Sequence, residues 1–103
     1  MYARVSVLEG SPDLIDQSLR QVREEVLPRA KQMEGFKEMI ALGDRHRGKT
    51  LGITFRESEE AMRANEEEAN RLREESAEAG GETIGDVERY EVGLFEVESE
   101  KRA

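Results

Sequence analysis

The sequence predicts an α+β domain of the ferredoxin-like type, with the element order βαββαβ and a four-stranded antiparallel sheet. Three observations support this fold class. Four segments show the short apolar patterns of strands, and two longer segments repeat apolar residues at helical spacing. These six segments follow the order strand, helix, strand, strand, helix, strand. The sequence therefore specifies a fold in more detail than it specifies a chemistry.

The first predicted strand is Tyr2–Leu8, where side chains alternate between two faces. One face is apolar and carries Ala3, Val5 and Val7, whereas the other is mixed and carries Tyr2, Arg4, Ser6 and Leu8. Because an apolar sheet face packs against helices, we expect the Ala3 face to lie beneath them. The mixed face is then expected on the open side of the sheet.

A helix is predicted over Pro12–Met33, because apolar residues recur there every three or four positions. Ser11 can accept hydrogen bonds from free amides at the helix start, and Pro12 suits the first helical position. Pro28 lies late in the pattern, lacks an amide donor and crowds the preceding turn. We therefore expect a kink or a break near Glu24–Pro28.

Two further strands, Phe36–Asp44 and Lys49–Arg56, are predicted to form a hairpin. Gly48 lies in the short connection and supplies the positive φ that tight hairpin loops often require. The second strand of this hairpin has the strongest apolar face in the chain, which consists of Leu51, Ile53 and Phe55. We expect this strand to lie centrally in the sheet.

The second helix is predicted from Glu59 to about Ala79, with Ser58 as its N-cap. Its inner stripe is weak and includes two polar residues, Asn65 and Ser76. The last strand is predicted over Val87–Val97, and the charged residues 98–103 are predicted to form a tail. Residues 1–97 are thus predicted to form one domain, in agreement with a length of 103 residues.

Composition narrows the classes of function. The net charge is −8, with 24 acidic and 16 basic residues, so binding to a nucleic-acid backbone is disfavoured. Cysteine is absent from the sequence, which excludes disulfides, thiol chemistry and cysteine metal sites. We find no metal motif and no apolar run long enough for a membrane span, so neither a metal nor a membrane partner is expected. With no leader-like segment at the start, a cytoplasmic location is expected for this acidic protein.

Asn65 and Tyr90 are the candidates for a catalytic or ligand-binding role. The amide of Asn65 either makes a structural hydrogen bond or faces a ligand between helix and sheet, and the structural contact is favoured. Ser76 has the same two interpretations, with a stronger preference for the structural one. Tyr90 either packs under the helices or points its hydroxyl into a pocket.

Two features of the hairpin allow both a functional and a structural interpretation. The segment Asp44–Lys49 gathers basic residues and could bind an anion, but a solvated loop tip is favoured. His46 is the only histidine and could be a general base or a metal ligand. Since no second ligand stands at metal-binding spacing around it, we expect His46 to be exposed.

The predicted open face of the sheet carries Tyr2, Arg4, Ser6, Thr54 and Arg56. These residues either line a polar cavity or pack against a second subunit. The second interpretation is favoured, because an open sheet face that includes Tyr2 and Leu8 needs a cover.

Several stretches resemble a known group of proteins. They are Tyr2–Val7, Met33–Phe36, Leu51–Phe55 leading to Ser58–Ala61, and Val87–Val92. Together they resemble the antibiotic biosynthesis monooxygenase-like (ABM-like) domains of the dimeric α/β-barrel superfamily. The resemblance covers the element order from Tyr2 to Val97.

The resemblance implies a homodimer in which the open faces of two sheets pack into a barrel, with a pocket for a small apolar ligand between helices and sheet in each subunit. It implies cofactor-independent monooxygenation of a small apolar or aromatic metabolite, with Asn65 and Tyr90 orienting the substrate. Haem-degrading relatives use an asparagine, a tryptophan and a helix-borne histidine. This chain has no tryptophan and its His46 is predicted in a hairpin, so no haem is expected. The alternative is a non-enzymatic homodimeric module that binds a small ligand or only assembles.

Overall fold

Four strands form one antiparallel sheet in the computed structural model, which describes residues 1–98. The strands are β1 (Tyr2–Glu9), β2 (Phe36–Asp44), β3 (Lys49–Arg56) and β4 (Thr83–Glu91). Their spatial order is β2-β3-β1-β4, so β3 lies centrally as predicted. Gly48 in the β2–β3 turn has a φ of 69°, which confirms the prediction for this hairpin. The predicted ferredoxin-like α+β fold class is therefore confirmed.

The first helical segment is continuous but changes its hydrogen-bonding period. It consists of a 3₁₀ turn (Pro12–Leu14), α1 (Ile15–Gln21), a π-helical turn (Val22–Val26) and α2 (Leu27–Lys31). The irregularity expected near Pro28 therefore takes the form of a π-helical turn, with helical dihedral angles on both sides and no break. Because proline has no amide hydrogen for the preceding turn, the wider turn accommodates the lost hydrogen bond.

The second helical segment is divided by Asn65, which has a φ of −106° and a ψ of 12°. α3 (Glu59–Ala64) precedes this residue, and α4 (Glu66–Gly80) follows it. Both helical segments cover the same face of the sheet. No helix within residues 1–98 has both the length and the apolar character to cross a membrane.

The two faces of the sheet are reversed relative to the prediction. All five residues expected on the open side lie on the side of the helices: Tyr2, Arg4, Ser6, Thr54 and Arg56. Arg4 and Arg56 are only 4% and 2% exposed. The alternation of side chains predicts which residues share a face, but it does not determine which face the helices cover. The prediction that this polar set packs against a second subunit is therefore wrong.

The open face of the sheet is apolar. It carries Val5 and Val7 on β1, Leu51, Ile53 and Phe55 on β3, and Ile40 and Leu42 on β2. Ile40 and Leu42 are 40% and 48% exposed. Phe55 is buried because the Phe95 ring packs edge-on against it, with 5.2 Å between the ring centroids. The strongest apolar face of the chain thus remains largely uncovered within one chain.

The last strand lies earlier in the sequence than predicted, at Thr83–Glu91 in place of Val87–Val97. Its pairing with β1 runs from Thr83 opposite Glu9 to Glu91 opposite Tyr2. Since β1 begins at Tyr2, it offers no further strand partner to the following residues, and 92–98 contain no regular element. Residues 80–86 are rich in glycine and acidic residues, which are uncommon in strands, so the sequence pattern did not indicate that the strand starts there. Most of the predicted tail, residues 99–103, lies outside the described residues.

The two predicted serine caps differ in their contacts. Ser58 Oγ accepts a hydrogen bond from Ala61 N at 3.1 Å, which confirms its role at the start of α3. Ser11 makes no side-chain hydrogen bond to its helix, because its hydroxyl donates to the Asp13 carboxylate. Its carbonyl accepts from Leu14 N instead. The prediction that the Ser11 side chain caps the first helix is therefore wrong.

We expect Ser58→Ala to lower the free energy of unfolding by about 1 kcal/mol, the typical value of an N-cap hydrogen bond. Ser11→Ala is the matched control, and it should lower the free energy of unfolding by clearly less. Urea unfolding followed by circular dichroism at one fixed protein concentration measures both. Equal losses in the two variants would contradict the assignment of the caps.

Candidate functional site

A cavity of about 70 Å³ lies between the helices and the sheet. It has room for several water molecules or for the end of a small ligand. Its walls are mostly apolar and include Val22, Val26, Met33, Met39, Ala69 and Leu72. Its polar groups belong to Arg4, Ser6, Thr50, Thr54, Arg73 and Ser76. An apolar concave space with a few polar groups is the usual form of a small-molecule site.

Small residues keep this cavity open. Gly52 lies on β3 opposite Ser6 and Ala41, and a Cβ placed on Gly52 would meet no atom within 4 Å. Ala69 on α4 contributes a second short side chain to the lining. A larger residue at position 52 would project into the cavity, so glycine leaves space at the centre of the sheet.

The π-helical turn forms one wall of the cavity. Its first and last residues, Val22 and Val26, both line the space. Val26 also borders a surface groove between the helical segments, which it shares with Leu72. Val22 borders a second groove beside β2, which it shares with Met39. The irregular turn thus separates the cavity from solvent on two sides, and π-helical turns frequently occur at functional sites.

Arg4 is a buried cation in the cavity wall. Its Nη2 donates a hydrogen bond to Asn70 Oδ1 at 2.7 Å. Its Nη1 lies 3.0 Å from Glu66 Oε1, an ion pair by distance, but it makes no well-directed hydrogen bond. Burial lowers the pKa of Arg4 to about 10, with smaller contributions from the charges of Arg73 and Arg89.

Two further arginines add positive charge beneath the helices. Arg73 lines the cavity, and its buried Nε has no hydrogen-bond partner. Arg56 Nη2 donates to Met33 Sδ at 3.3 Å, which is a weak acceptor, and its buried Nη1 has no partner. The guanidinium of Arg56 also lies 5.8 Å from the ring centroid of Phe36. Burial lowers the pKa of Arg56, and the charge of Arg4 lowers it further.

A buried polar cluster lies at the Thr50 end of the cavity. Ser18 Oγ lies 3.1 Å from both carboxylate oxygens of Glu82, and Thr50 Oγ1 lies 3.4 Å from one of them. Burial raises the pKa of Glu82, although the hydrogen bonds from Ser18 and Thr50 partly oppose this. No local pattern in the sequence indicates this cluster, because its members come from α1, β3 and the turn before β4.

Comparison with known sequences identifies uncharacterised relatives. No protein-family model matches the sequence. Over 95 residues the chain is 32% identical to an uncharacterised protein of Mycobacterium tuberculosis, a match that covers 92% of this chain. The same match covers 42% of the relative, so the chain spans less than half of that protein's length.

Comparison with solved structures is more informative about the fold. A proposed antibiotic biosynthesis monooxygenase from Deinococcus radiodurans gives a TM-score of 0.70 at 17% identity, over 96% of this chain and 100% of that one. A Streptomyces coelicolor monooxygenase in complex with nanaomycin D gives a TM-score of 0.64 at 16% identity, over 94% of this chain and 92% of that one. The chain therefore has the same fold as these two proteins. A dimeric ferredoxin-like protein from an uncultured marine organism gives a TM-score of 0.66 at 11% identity, over 95% of this chain and 100% of that one.

The two predicted site residues lie outside the cavity lining. Asn65 Nδ2 donates to Glu34 O at 2.9 Å and to Ala61 O at 2.8 Å, and so ties the α3–α4 junction to the segment before β2. Tyr90 is 52% exposed on β4, and its hydroxyl donates to Glu88 Oε1 at 2.6 Å. A catalytic role for either residue stays a prediction. Ser76, in contrast, does line the cavity.

The tip of the β2–β3 hairpin contains several paired charges. The Asp44 carboxylate accepts hydrogen bonds from Arg47 Nε at 2.7 Å and from the backbone amides of Arg47 and His46. These donors, led by the Arg47 side chain, lower the pKa of Asp44 to about 2. Arg45 pairs with Asp16 at 2.7 Å, and His46 is exposed. Within residues 1–98, no cluster of three or more histidine, aspartate or glutamate side chains could hold a metal ion.

The raised pKa of Glu82 leads to a pH-dependent prediction. Because the folded state binds this proton more tightly than the unfolded chain, the stability that the protonated carboxyl contributes is lost as pH rises through the folded-state pKa. We therefore expect Glu82→Gln to raise Tm, relative to the unmodified protein, more at about pH 7 than at about pH 4. Thermal melts at both pH values measure this difference.

Glu78→Gln is the matched control, because Glu78 is an exposed glutamate near the end of α4. It should change Tm little at either pH. A Glu82→Gln variant whose relative Tm does not depend on pH would contradict the role of burial.

Proposed function

We propose that this ABM-like domain binds a small, largely apolar or aromatic metabolite in the cavity between helices and sheet. The observation that carries the proposal is the cavity, which Gly52 leaves open at the centre of the sheet. An empty space of about 70 Å³ lowers stability by roughly 2 kcal/mol at the usual cost per unit of cavity volume. Retention of such a space in a small domain supports a binding role.

We propose further that the domain catalyses a cofactor-independent monooxygenation. In such a reaction, O₂ converts a CH₂ group of the substrate into a carbonyl and its second oxygen leaves as water, so the electrons balance without an external reductant. The likeness of fold to the Streptomyces coelicolor monooxygenase that binds nanaomycin D supports this assignment. Arg4, a buried cation in the cavity lining, is better placed than Asn65 or Tyr90 to stabilise a developing oxyanion.

A non-enzymatic ligand-binding module is the second candidate. Among residues 1–98, the polar groups of the cavity lining are guanidinium and hydroxyl groups, which are poor proton acceptors. Two carboxylates contact residues of that lining. Glu66 is already paired with Arg4, and Glu82 is already engaged by Ser18 and Thr50. A site without a free general base favours binding over proton-transfer chemistry.

We expect Gly52→Val to fill the cavity, to preserve or raise Tm, and to abolish both ligand binding and turnover. Valine suits a strand, and its methyl groups would occupy the empty space. Native mass spectrometry of the purified protein measures binding. Incubation of polycyclic phenols with isotopically labelled O₂ measures oxygen incorporation into the product.

Gly93→Val is the matched control, because a Cβ at Gly93 also meets no atom within 4 Å while the residue lies outside the cavity lining. Oxygen incorporation that Gly52→Val abolishes would support the enzyme. Binding without turnover would support the second candidate. Unchanged binding by Gly52→Val would contradict the proposed site.

We propose that a second copy of this chain covers the open sheet face. Ile40 and Leu42 are exposed beside the half-buried Leu51 and Ile53, and a contiguous apolar surface of this kind is typical of an interface. Two identical open faces can pair about a twofold axis, which would enclose both sheets in one barrel. The dimeric state of a ferredoxin-like protein with the same fold supports this assembly.

We expect Leu42→Glu to convert the dimer into a monomer, because it buries a charge in the proposed interface. Ile84→Glu is the control, since Ile84 is an exposed apolar residue that pairs with Leu8 on the helix side of the sheet. Size-exclusion chromatography with light scattering measures the mass of both. A Leu42→Glu variant that stays dimeric, or an unmodified protein that is monomeric, would contradict the proposed interface.

A further inference from the structure

We propose that the ligand of the cavity is an organic anion, and that its negatively charged oxygen lies between Arg4 and Arg73. This inference rests on the proposed function, since it names the chemical class of the molecule that the cavity would bind. The class is a small apolar acid, either a carboxylate or an acidic hydroxyl compound that binds in its ionised form. The rest of the cavity would hold the apolar body of that acid.

The balance of charge around Arg4 is the first reason. Glu66 contacts both Arg4 and Arg89, so one carboxylate is shared by two guanidinium groups. Arg73 is a third cation close to Arg4 on the cavity side. Buried charges are costly unless a partner of opposite sign compensates them. An anion in the cavity would supply the missing negative charge.

Unused hydrogen-bond donors are the second reason. Arg73 Nε is buried without a hydrogen-bond partner, and the buried Arg4 Nη1 has an ion pair with Glu66 at 3.0 Å but no well-directed hydrogen bond. Both residues line the same small cavity. Arg4 as a whole is 4% exposed, so water outside the protein does not satisfy it. A carboxylate or phenolate oxygen accepts several hydrogen bonds, and charge-assisted bonds of this kind are about twice as strong as neutral ones.

The apolar walls define the rest of the ligand. Beyond the arginines, the cavity continues to Val22 and Met39, which also border a groove of about 270 Å³ beside β2. Leu19, Leu27 and Ala41 line that groove, so the surroundings of this end of the cavity are apolar. The net charge of −8 repels highly charged anions from the protein as a whole. A monovalent acid with an apolar body therefore fits better than a phosphate.

Hexanoate and its neutral analogue hexanamide test this inference, because they share size and chain but differ in charge. In isothermal titration calorimetry of the purified protein at one ionic strength, we expect hexanoate to bind about tenfold more tightly than hexanamide. Arg73→Gln should remove this preference, because it should lower the affinity for hexanoate by much more than the affinity for hexanamide. Arg71→Gln is the matched control, since Arg71 is an exposed arginine on α4 and its loss should leave the preference intact.

Arg73→Lys provides a second variant in case Arg73→Gln does not fold, and it should keep part of the preference because it keeps the charge. Equal affinities for hexanoate and hexanamide, or a preference that survives Arg73→Gln, would overturn the anion inference and leave the proposed cavity site standing. If neither compound binds the unmodified protein, both the anion inference and the proposed function are overturned.

Discussion

The buried guanidinium of Arg4 is the constraint on which the arrangement of this domain depends. It lies on a central strand, so it must face either the helices or a partner subunit. Its contacts with Asn70 and Glu66 on α4 place it on the helix side of the sheet. A charged group that is removed from water needs such partners, because its desolvation costs several kcal/mol. Once Arg4 is beneath α4, the alternation of β1 forces Val5 and Val7 onto the other face.

This orientation leaves each face of the sheet incomplete in a different way. The helix side of the sheet contains small and polar side chains, so the packing of the helices against it leaves the cavity at Gly52. The open side contains the apolar residues that would form the core of an ordinary two-layer domain, including Ile40 and Leu42. A domain of this size has a modest core, and of the strongest apolar strand face only Phe55 is buried, while Leu51 and Ile53 are half-buried. The fold is therefore suited to a bound molecule on one side and to a second subunit on the other.

The sequence predicted the features that depend on local chemistry. Gly48 and Ser58 were identified from their neighbours alone, because a tight turn and a helix start require particular residue types. The side of the sheet that the helices cover could not be predicted, since it depends on contacts such as Arg4 with Asn70, which are 66 positions apart. The start of β4 was missed for a similar reason, because it is set by pairing with Glu9 across the sheet. Asn65 lies at the junction of α3 and α4 and not on an inner helical face, but the favoured structural contact matches its bonds to two backbone carbonyls.

The two incomplete faces share their central strands, so the proposed ligand in the cavity and the proposed second subunit would act on the same strands. Along β1, residues that line the cavity alternate with residues of the open face, so a change in the position of the strand acts on both sides. An anion that neutralises Arg4 and Arg73 would stabilise the position of β1 against α4. That position is also the one in which Val5 and Val7 present a regular apolar surface to a partner. Any molecule that binds only the folded, assembled state stabilises it by mass action, so ligand and partner should each favour the binding of the other.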